Sequence, residues 1–232
     1  MTAVPNTSLL GPVPRDAHPP FESDDAVIEA DLCLQCGGPC APAPCVNACP
    51  AGIDVPGFIH DIAVGRPVDA AAKIFADNVL GGTCARVCPV EVLCEGSCVL
   101  LKEGRRPIQI GRLQRHATDA ALDAGEAGAS LLKPGTAPKT GKSIGVIGAG
   151  PAGLACAAEL ALLGHRVIVY ERREFPGGLV TRGIAPYKQQ YKPLPQEIEQ
   201  ITRLGVEFRM GVEVGKHVTA EQLRAEHASI FL

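Results

Sequence analysis

Nine of the ten cysteines in this 232-residue chain fall between Cys33 and Cys98. They form two runs. The first is Cys33-Leu-Gln-Cys36-Gly-Gly-Pro-Cys40-Ala-Pro-Ala-Pro-Cys45-Val-Asn-Ala-Cys49-Pro50, and the second is Cys84-Ala-Arg-Val-Cys88-Pro89-Val-Glu-Val-Leu-Cys94-Glu-Gly-Ser-Cys98. Each run contains a Cys-Pro. Thiolates are soft, polarisable ligands suited to iron–sulfur clusters and to zinc. In bacterial ferredoxins the Cys before Pro serves the other of two clusters. That grammar occurs here twice, so two iron–sulfur clusters with interleaved ligands are expected.

Disulfides, structural zinc and plain buried thiols are the competing readings. The N-terminus, Met1-Thr-Ala-Val-Pro-Asn, has neither a charged nor an apolar leader region, so a reducing, cytoplasmic setting is expected and disulfides are disfavoured. Zinc favours Cys-x-x-Cys, whereas the second run has only longer gaps. Buried structural cysteines have no reason to crowd beside Gly and Pro. The net charge of −3 and the scarcity of aromatic residues speak against nucleic acid as a partner. No apolar run is long enough to span a bilayer, so no membrane partner is expected.

Along the chain, residues 1 to about 22 are proline-rich and aperiodic, an extended arm that we bound at 1–25. A short capped helix from Ser23 delivers the chain to Cys33. Between the Cys runs, Asp54 is an N-cap with Pro56 in the first turn, and Phe58, Ile59, Ile62 and Ala63 form an apolar face ended by Gly65. Arg66-Pro67 opens a second helix, with Val68, Ala71, Ala72 and Phe75 at helical spacing and Asn78 and Gly81-Gly82 as its stop. A third helix runs from about Ile108 to Leu122, with Ile110, Leu113 and Gln114 near one stripe. The small helical module over 26–123 has little core of its own, so bound clusters are expected to stabilise it. Residues 124–141 have linker composition.

A different pattern begins at 142. Ser143–Ile147 is an apolar strand, Gly148-Ala149-Gly150-Pro151-Ala152-Gly153 follows, and Leu154–Leu163 is an Ala/Leu helix ended by Gly164. Arg166–Tyr170 is the next strand, with Glu171 at its end. Gly-x-Gly-x-x-Gly framed in this way is a dinucleotide fingerprint. Gly148 permits the turn, Gly150 lets backbone N–H groups reach a pyrophosphate, Gly153 allows helix–strand packing, and Glu171 can accept ribose hydroxyls. Arg172 and Arg173 leave a 2′-phosphate possible, hence FAD or NADP. The continuation Phe175-Pro-Gly177-Gly178-Leu179 and Gly183-Ile-Ala-Pro186-Tyr187-Lys188 resembles the FAD domain of two-dinucleotide flavoprotein reductases. The six histidines are scattered, and no Ser/His/Asp or paired-carboxylate constellation competes.

The ordered motifs, with Pro107-Ile-x-Ile-Gly-Arg-Leu-Gln114 after the second Cys run, resemble the N-terminal part of the glutamate synthase small-chain and dihydropyrimidine dehydrogenase family, from roughly Ala26 onward. The resemblance implies an all-α iron–sulfur domain followed by a partial α/β Rossmann-like FAD-binding domain over 142–232. It also implies electrons passing from NAD(P)H to FAD and through two 4Fe-4S clusters to a catalytic partner subunit or domain. By position, one cluster takes Cys33, Cys36, Cys45 and Cys98. The other takes Cys49, Cys88 and Cys94, with the side-chain oxygen of Gln114 in place of a fourth thiolate. Cys40 is a rival of Cys45 because the Cys36–Cys45 gap carries extra residues, and Cys84 is a rival of Gln114, which can also be read as a surface helix residue. Gly148, Ala149, Gly150, Pro151, Ala152 and Gly153 would line the FAD pyrophosphate, with Glu171 on the ribose and Gly178 and Leu179 toward the flavin. Lys188 stands for a basic residue of the family, and Val214 would offer a backbone contact to adenine. Cys156 is read as packing. Against the family the chain looks truncated at Leu232: the NAD(P)H domain is expected on the missing part, and the segment alone is expected to be inactive. The alternatives are a zinc-stabilised interaction module and a non-catalytic truncation product.

Overall fold

A computed structural model describes Asp16 and residues 19–125, 131–132, 137–190 and 192–232. Most of the proline-rich arm and much of the 124–141 linker lie outside the described residues. Contacts divide the chain into two compact units, one spanning His18–Leu132 and one containing Lys133–Leu232.

The first unit is helical. Its helices are α1 (Ser23–Asp31), α2 (Pro44–Asn47), α3 (Val55–Ala63), α4 (Pro67–Asp77), α5 (Gly81–Val87) and α6 (Ile110–Asp123), with short 3-10 turns at Val90–Val92 and Val99–Glu103. Asp54 caps α3 by accepting the Gly57 N–H at 3.1 Å, and Pro56 sits in its first turn. Here the local rule and the fold agree. By contrast, α1 has Glu22 at its N-cap and no side-chain cap. The buried face of α4 is Ala70, Ala71, Ile74 and Phe75. It is rotated from the expected stripe, because α4 must meet both α3 and α6. Gly81-Gly82 do not stop a helix. They start α5, where the absence of side chains lets the backbone sit against Ile74 and Phe75.

Phe58, Ile59, Ile62, Ile74, Phe75 and Leu113 are buried almost completely, a fuller apolar core than the cysteine-rich sequence suggests. Buried charges bind the helices at their corners. Asp61 pairs with Arg66 at 2.7 Å and with Lys73 across the α3–α4 turn. Glu29 of α1 accepts two hydrogen bonds from Arg106, at 2.8 and 2.6 Å, and one from the Gln109 N–H at 2.9 Å. The segment entering α1 lies on α6. The Arg112 guanidinium donates to the Pro19 carbonyl at 2.9 Å and stacks over the Phe21 ring.

The second unit holds four parallel strands in the order β3-β2-β1-β4, where β1 is Ser143–Ile147, β2 Arg166–Glu171, β3 Glu207–Met210 and β4 Ser229–Phe231. α7 (Pro151–Leu162) crosses from β1 to β2 and packs on both. α8 (Leu179–Arg182), α9 (Leu194–Arg203) and α10 (Ala220–Glu226) complete the unit. Val146, Val167, Ile168 and Val169 are fully buried, as a parallel sheet covered on both faces requires. A polar ladder crosses the strands: Ser143 Oγ meets His227 Nδ1 at 2.9 Å, His227 Nε2 meets the Tyr170 hydroxyl at 2.9 Å, and Arg209 donates to that hydroxyl at 3.0 Å. The His227 ring lies so close to Gly145 that a Cβ there would come within 2.8 Å of it.

Burial alone would raise the Glu29 carboxyl. The hydrogen bonds and charge of Arg106 and the Gln109 N–H outweigh it and hold the group below its ordinary value of 4.5. A depressed carboxylate contributes stability above its unfolded-state value and loses it as pH falls through the folded-state one. Glu29→Gln should therefore cost about 2 kcal/mol at pH 7 in a denaturant titration. The gap to the wild type should close as the pH falls below the carboxylate range.

Candidate functional site

The fold gathers the cysteines into two cavities. The first is lined by Cys33, Cys36, Cys45 and Cys98, with Pro44, Val55, Ile59 and Ile110 among its apolar walls. The second is lined by Cys49, Cys84, Cys88, Cys94 and Gln114, again with Val55 and Ile110. Cys40 lines neither; it is exposed in a turn closed by the Gly38–Ala41 bridge. All ten cysteines are free of disulfides. The thiols surround volumes rather than points: among the described residues, no three His, Cys, Asp or Glu side chains are placed to hold a single metal ion.

Helix ends set these positions. Pro44 starts α2 and so fixes Cys45 in its first turn, and Cys49 follows its end. Cys84 lies on α5 and Cys88 is its C-cap, one turn on. Val55 and Ile110 are the first residues of α3 and α6, and together they form the wall shared by both cavities. Gln114 is buried on α6, and its Nε2 donates to the Gly81 carbonyl at 2.8 Å. A carbonyl can only accept, so the nitrogen end of the amide must face Gly81 and the oxygen end is left for another partner. Arg86 clamps α5 to α6 by donating to the Gly82 carbonyl at 2.9 Å and to Asp119 at 2.5 Å. No sequence pattern announced the clamp or the shared wall, since both arise from tertiary packing.

Crowding disfavours thiolates in these cavities. Burial, then the neighbouring Cys33, pushes the Cys45 thiol up to about 11, and burial followed by Glu95 pushes Cys94 up to about 12. Cys33 is raised by burial and by Cys36 and Cys98. Cys88 is the exception: the adjacent Cys84 holds it below its ordinary value, and Cys84 is correspondingly raised. Cationic charge inside each cavity would relieve this repulsion, as metal binding to thiolates does.

In the second unit, Gly148 has a φ of +99°, which the tight turn requires, and its N–H donates to the Tyr170 carbonyl at 2.8 Å, continuing the β1–β2 pairing. A Cβ at Gly153 would overlap the Gly148 carbonyl oxygen, whereas one at Gly150 would meet no atom within 4 Å. Gly153 therefore serves the fold, and Gly150 leaves open space at the start of α7. Ala149 is buried behind the turn; Pro151 and Ala152 form the exposed first turn of α7. The buried Glu171 carboxylate accepts the Ala149 N–H at 2.8 Å and the Arg173 N–H at 2.9 Å, so it also braces the turn. Glu171, Arg172, Arg173, Gly178, Leu179, Arg182 and Gly183 line an open cleft. Lys188 is exposed in a turn outside this lining. Val214 also lies outside it, packed against Ile168, Tyr170 and Leu223. Arg182 was not anticipated; as an exposed polar residue in a short helix it carries no sequence signal.

Comparison with known proteins follows this division. A family model described as dihydropyrimidine dehydrogenase domain II, 4Fe-4S cluster, matches residues 14–126, and one described as an NAD(P)-binding Rossmann-like domain matches 146–191. The NAD-dependent dihydropyrimidine dehydrogenase subunit PreT of Escherichia coli K12 is 40% identical over 214 residues, covering 92% of this chain and 50% of that protein. The glutamate synthase (NADPH) small chain of the same organism is 36% identical over 218 residues, covering 94% and 44%. Its counterpart in Mycobacterium tuberculosis is 34% identical over 219 residues, covering 94% and 42%. The chain spans about half the length of the curated relatives it matches. Among the described residues, no helix is long and apolar enough to cross a membrane.

The two glycines should separate in mutagenesis. Gly153→Ala should destabilise the second unit by about 2 kcal/mol through overpacking, read as a lowered thermal midpoint, while Gly150→Ala should melt like the wild type.

Proposed function

The chain belongs to the glutamate synthase small-chain and dihydropyrimidine dehydrogenase family, and from that premise we propose that it carries electrons from FAD through two 4Fe-4S clusters toward a catalytic partner subunit or domain. The observation that carries the reading is the sorting of the thiols into two cavities behind one shared wall. Cys33, Cys36, Cys45 and Cys98 hold one cluster; Cys49, Cys88, Cys94 and the Gln114 side-chain oxygen hold the other. Support for Cys45 over Cys40 is its place in the cavity lining. Support for Gln114 is its anchored amide nitrogen, which fixes the orientation of the oxygen end. Thiols around a volume suit a polynuclear group better than one zinc ion, whose tetrahedral bonds of about 2.3 Å would draw four sulfurs to a point.

The flavin, when bound, converts two-electron hydride chemistry into the single-electron steps that clusters carry. This chain's own residues hold its adenosine half. Gly148, Ala149 and Pro151 shape the turn, and the backbone N–H groups of Gly150, Ala152 and Gly153 at the start of α7 are directed to the pyrophosphate. Glu171 accepts the ribose hydroxyls with the lone pairs its two backbone bonds leave over. Gly178 and Leu179 lie toward the flavin, Lys188 supplies a basic group at the surface, and Val214 offers its backbone to adenine. Around the clusters the walls from Val55 and Ile110 exclude water. We assign hydride acceptance from NAD(P)H to the part of the relatives' length that this span does not match. We also place the protein in the cytoplasm, where thiols stay reduced.

Anaerobic, iron-replete protein should contain about eight irons and eight sulfides per chain, measured by metal and sulfide assay; zinc in their place would refute the cluster reading. Cys45→Ser should abolish one cluster's electron paramagnetic resonance signal and Cys40→Ser should leave both, the reverse result moving the ligand to Cys40. Gly150→Ala should weaken flavin retention at least ~10-fold, equivalent to about 1.4 kcal/mol.

A further inference from the structure

Arg182 lines the cleft beside Glu171 without a partner in the fold. Among the described residues its guanidinium makes no hydrogen bond and no ion pair, and neither does that of Arg173 in the same lining. The third arginine there, Arg172, interacts electrostatically with Glu213. Glu171 pairs with none of them; its oxygens accept the Ala149 and Arg173 N–H groups at 2.8 and 2.9 Å. A lone exposed arginine is ordinarily a solvated surface group. What sets Arg182 apart is the element that carries it. The Gly177 N–H donates to the Ala149 carbonyl at 2.7 Å, and Thr181 Oγ donates to the Pro176 carbonyl at 2.7 Å. A Cβ on Gly178 would come within 3.0 Å of the Gly150 Cα. α8 therefore begins directly on the glycine turn that opens α7. Arg182 lies about one helical turn, roughly 6 Å, beyond Gly178, an interval that an arginine side chain can span.

Charge gives that placement a purpose. A dinucleotide pyrophosphate brings about two negative charges, against which the start of a helix sets about half a positive one. The Glu171 carboxylate adds a further negative charge at the neighbouring ribose position. The α7 N–H groups thus leave a deficit that a guanidinium, planar and bidentate toward phosphate, is suited to fill. We propose that Arg182 is a phosphate-binding residue of the dinucleotide site, its guanidinium donating to the pyrophosphate oxygens that the N–H groups at the start of α7 hold from their side. Arg172 and Arg173 follow Glu171 in the chain and so stand at the ribose end of the cleft. The inference rests on the reading of this cleft as part of the FAD site and goes beyond it, since neither the glycine turn nor Glu171 supplies a cation.

The test titrates the full chain, stripped of flavin, with FAD, ADP, adenosine and 2′-AMP at low salt by calorimetry. Arg182→Ala should melt like the wild type, because the truncated side chain has no partner to lose. It should bind FAD and ADP about 10-fold more weakly and adenosine equally well. Arg182→Lys, which keeps the charge but not the fork, should recover part of the loss. Added salt should narrow the gap between the wild type and Arg182→Ala. Equal ADP affinity in the two would overturn the proposal while leaving the FAD reading intact. So would an equal loss for ADP and adenosine, which would mark a role in shaping the pocket. If Arg182→Ala lost affinity for 2′-AMP and not for ADP, the guanidinium would serve a ribose phosphate and the pyrophosphate assignment would fall. A wild-type chain that bound neither FAD nor ADP would refute the FAD reading itself, and this inference with it.

Discussion

Two carboxylates hold the first turn of α6, and the helical unit is arranged around that grip. Glu29 takes the Gln109 N–H, and Glu95 takes the Gly111 N–H at 3.0 Å. These are donors that a helix start leaves unpaired and to which negative charge is drawn. The consequences spread from there. Ile110, between them, is driven into the wall shared by the two thiol-lined cavities. One turn later Gln114 reaches the second cavity and ties α6 to the start of α5. Glu29 fixes this helix to α1, whose end delivers Cys33; Glu95 fixes it to the loop that carries Cys94 and Cys98. One helix entry thus sets the spacing of donors from three separate segments.

The dinucleotide turn uses a carboxylate in the same double way. Glu171 was read from sequence as a ribose acceptor, and its position at the end of β2 suits that role. Its oxygens also hold the Ala149 and Arg173 N–H groups, so the turn is braced from within. A preorganised loop loses less freedom on binding. The same brace means that a substitution of Glu171 would disturb the loop as well as any ribose contact, and loss of nucleotide affinity in such a variant would not separate the two effects.

Much of this was legible in the sequence because it was local. Asp54 and Pro56 specify the start of α3, and the glycine fingerprint with its flanking strands specifies β1, α7 and β2, since each depends on near neighbours in the chain. The grouping of cysteines came from motif resemblance; the fold brings Cys33, Cys36, Cys45 and Cys98 to one cavity and adds Cys84 to Cys49, Cys88, Cys94 and Gln114 in the other. What could not be read was set by distant partners. The α4 face is turned by packing on α3 and α6, and Gly81-Gly82, a stop signal by propensity, starts a helix because Ile74 and Phe75 need a bare backbone against them. β3 has alternating charges, Glu207 and Arg209, and shows no apolar run; it becomes a strand by pairing with β2.

The two cavities also explain why so apolar a wall stands between them. Val55 and Ile110 are each almost fully buried and carry no polar atom. A polar side chain there would need a partner, and the nearest groups are the cysteine sulfurs whose donors are already apportioned. Aliphatic side chains instead keep water from both sets of thiols. Water admitted there would screen the charges and hydrogen-bond the sulfurs without discrimination, erasing differences such as the one between Cys88 and its neighbours. Two cavities lined by the same kind of side chain can then differ only through what the protein places beside each sulfur. In the second cavity Cys84 and the Gln114 amide stand beside the other cysteines; the first is lined by four cysteines, Ser97 and apolar residues. That asymmetry is built by the helix entries themselves, since Gln114 comes from α6 and Cys84 from α5.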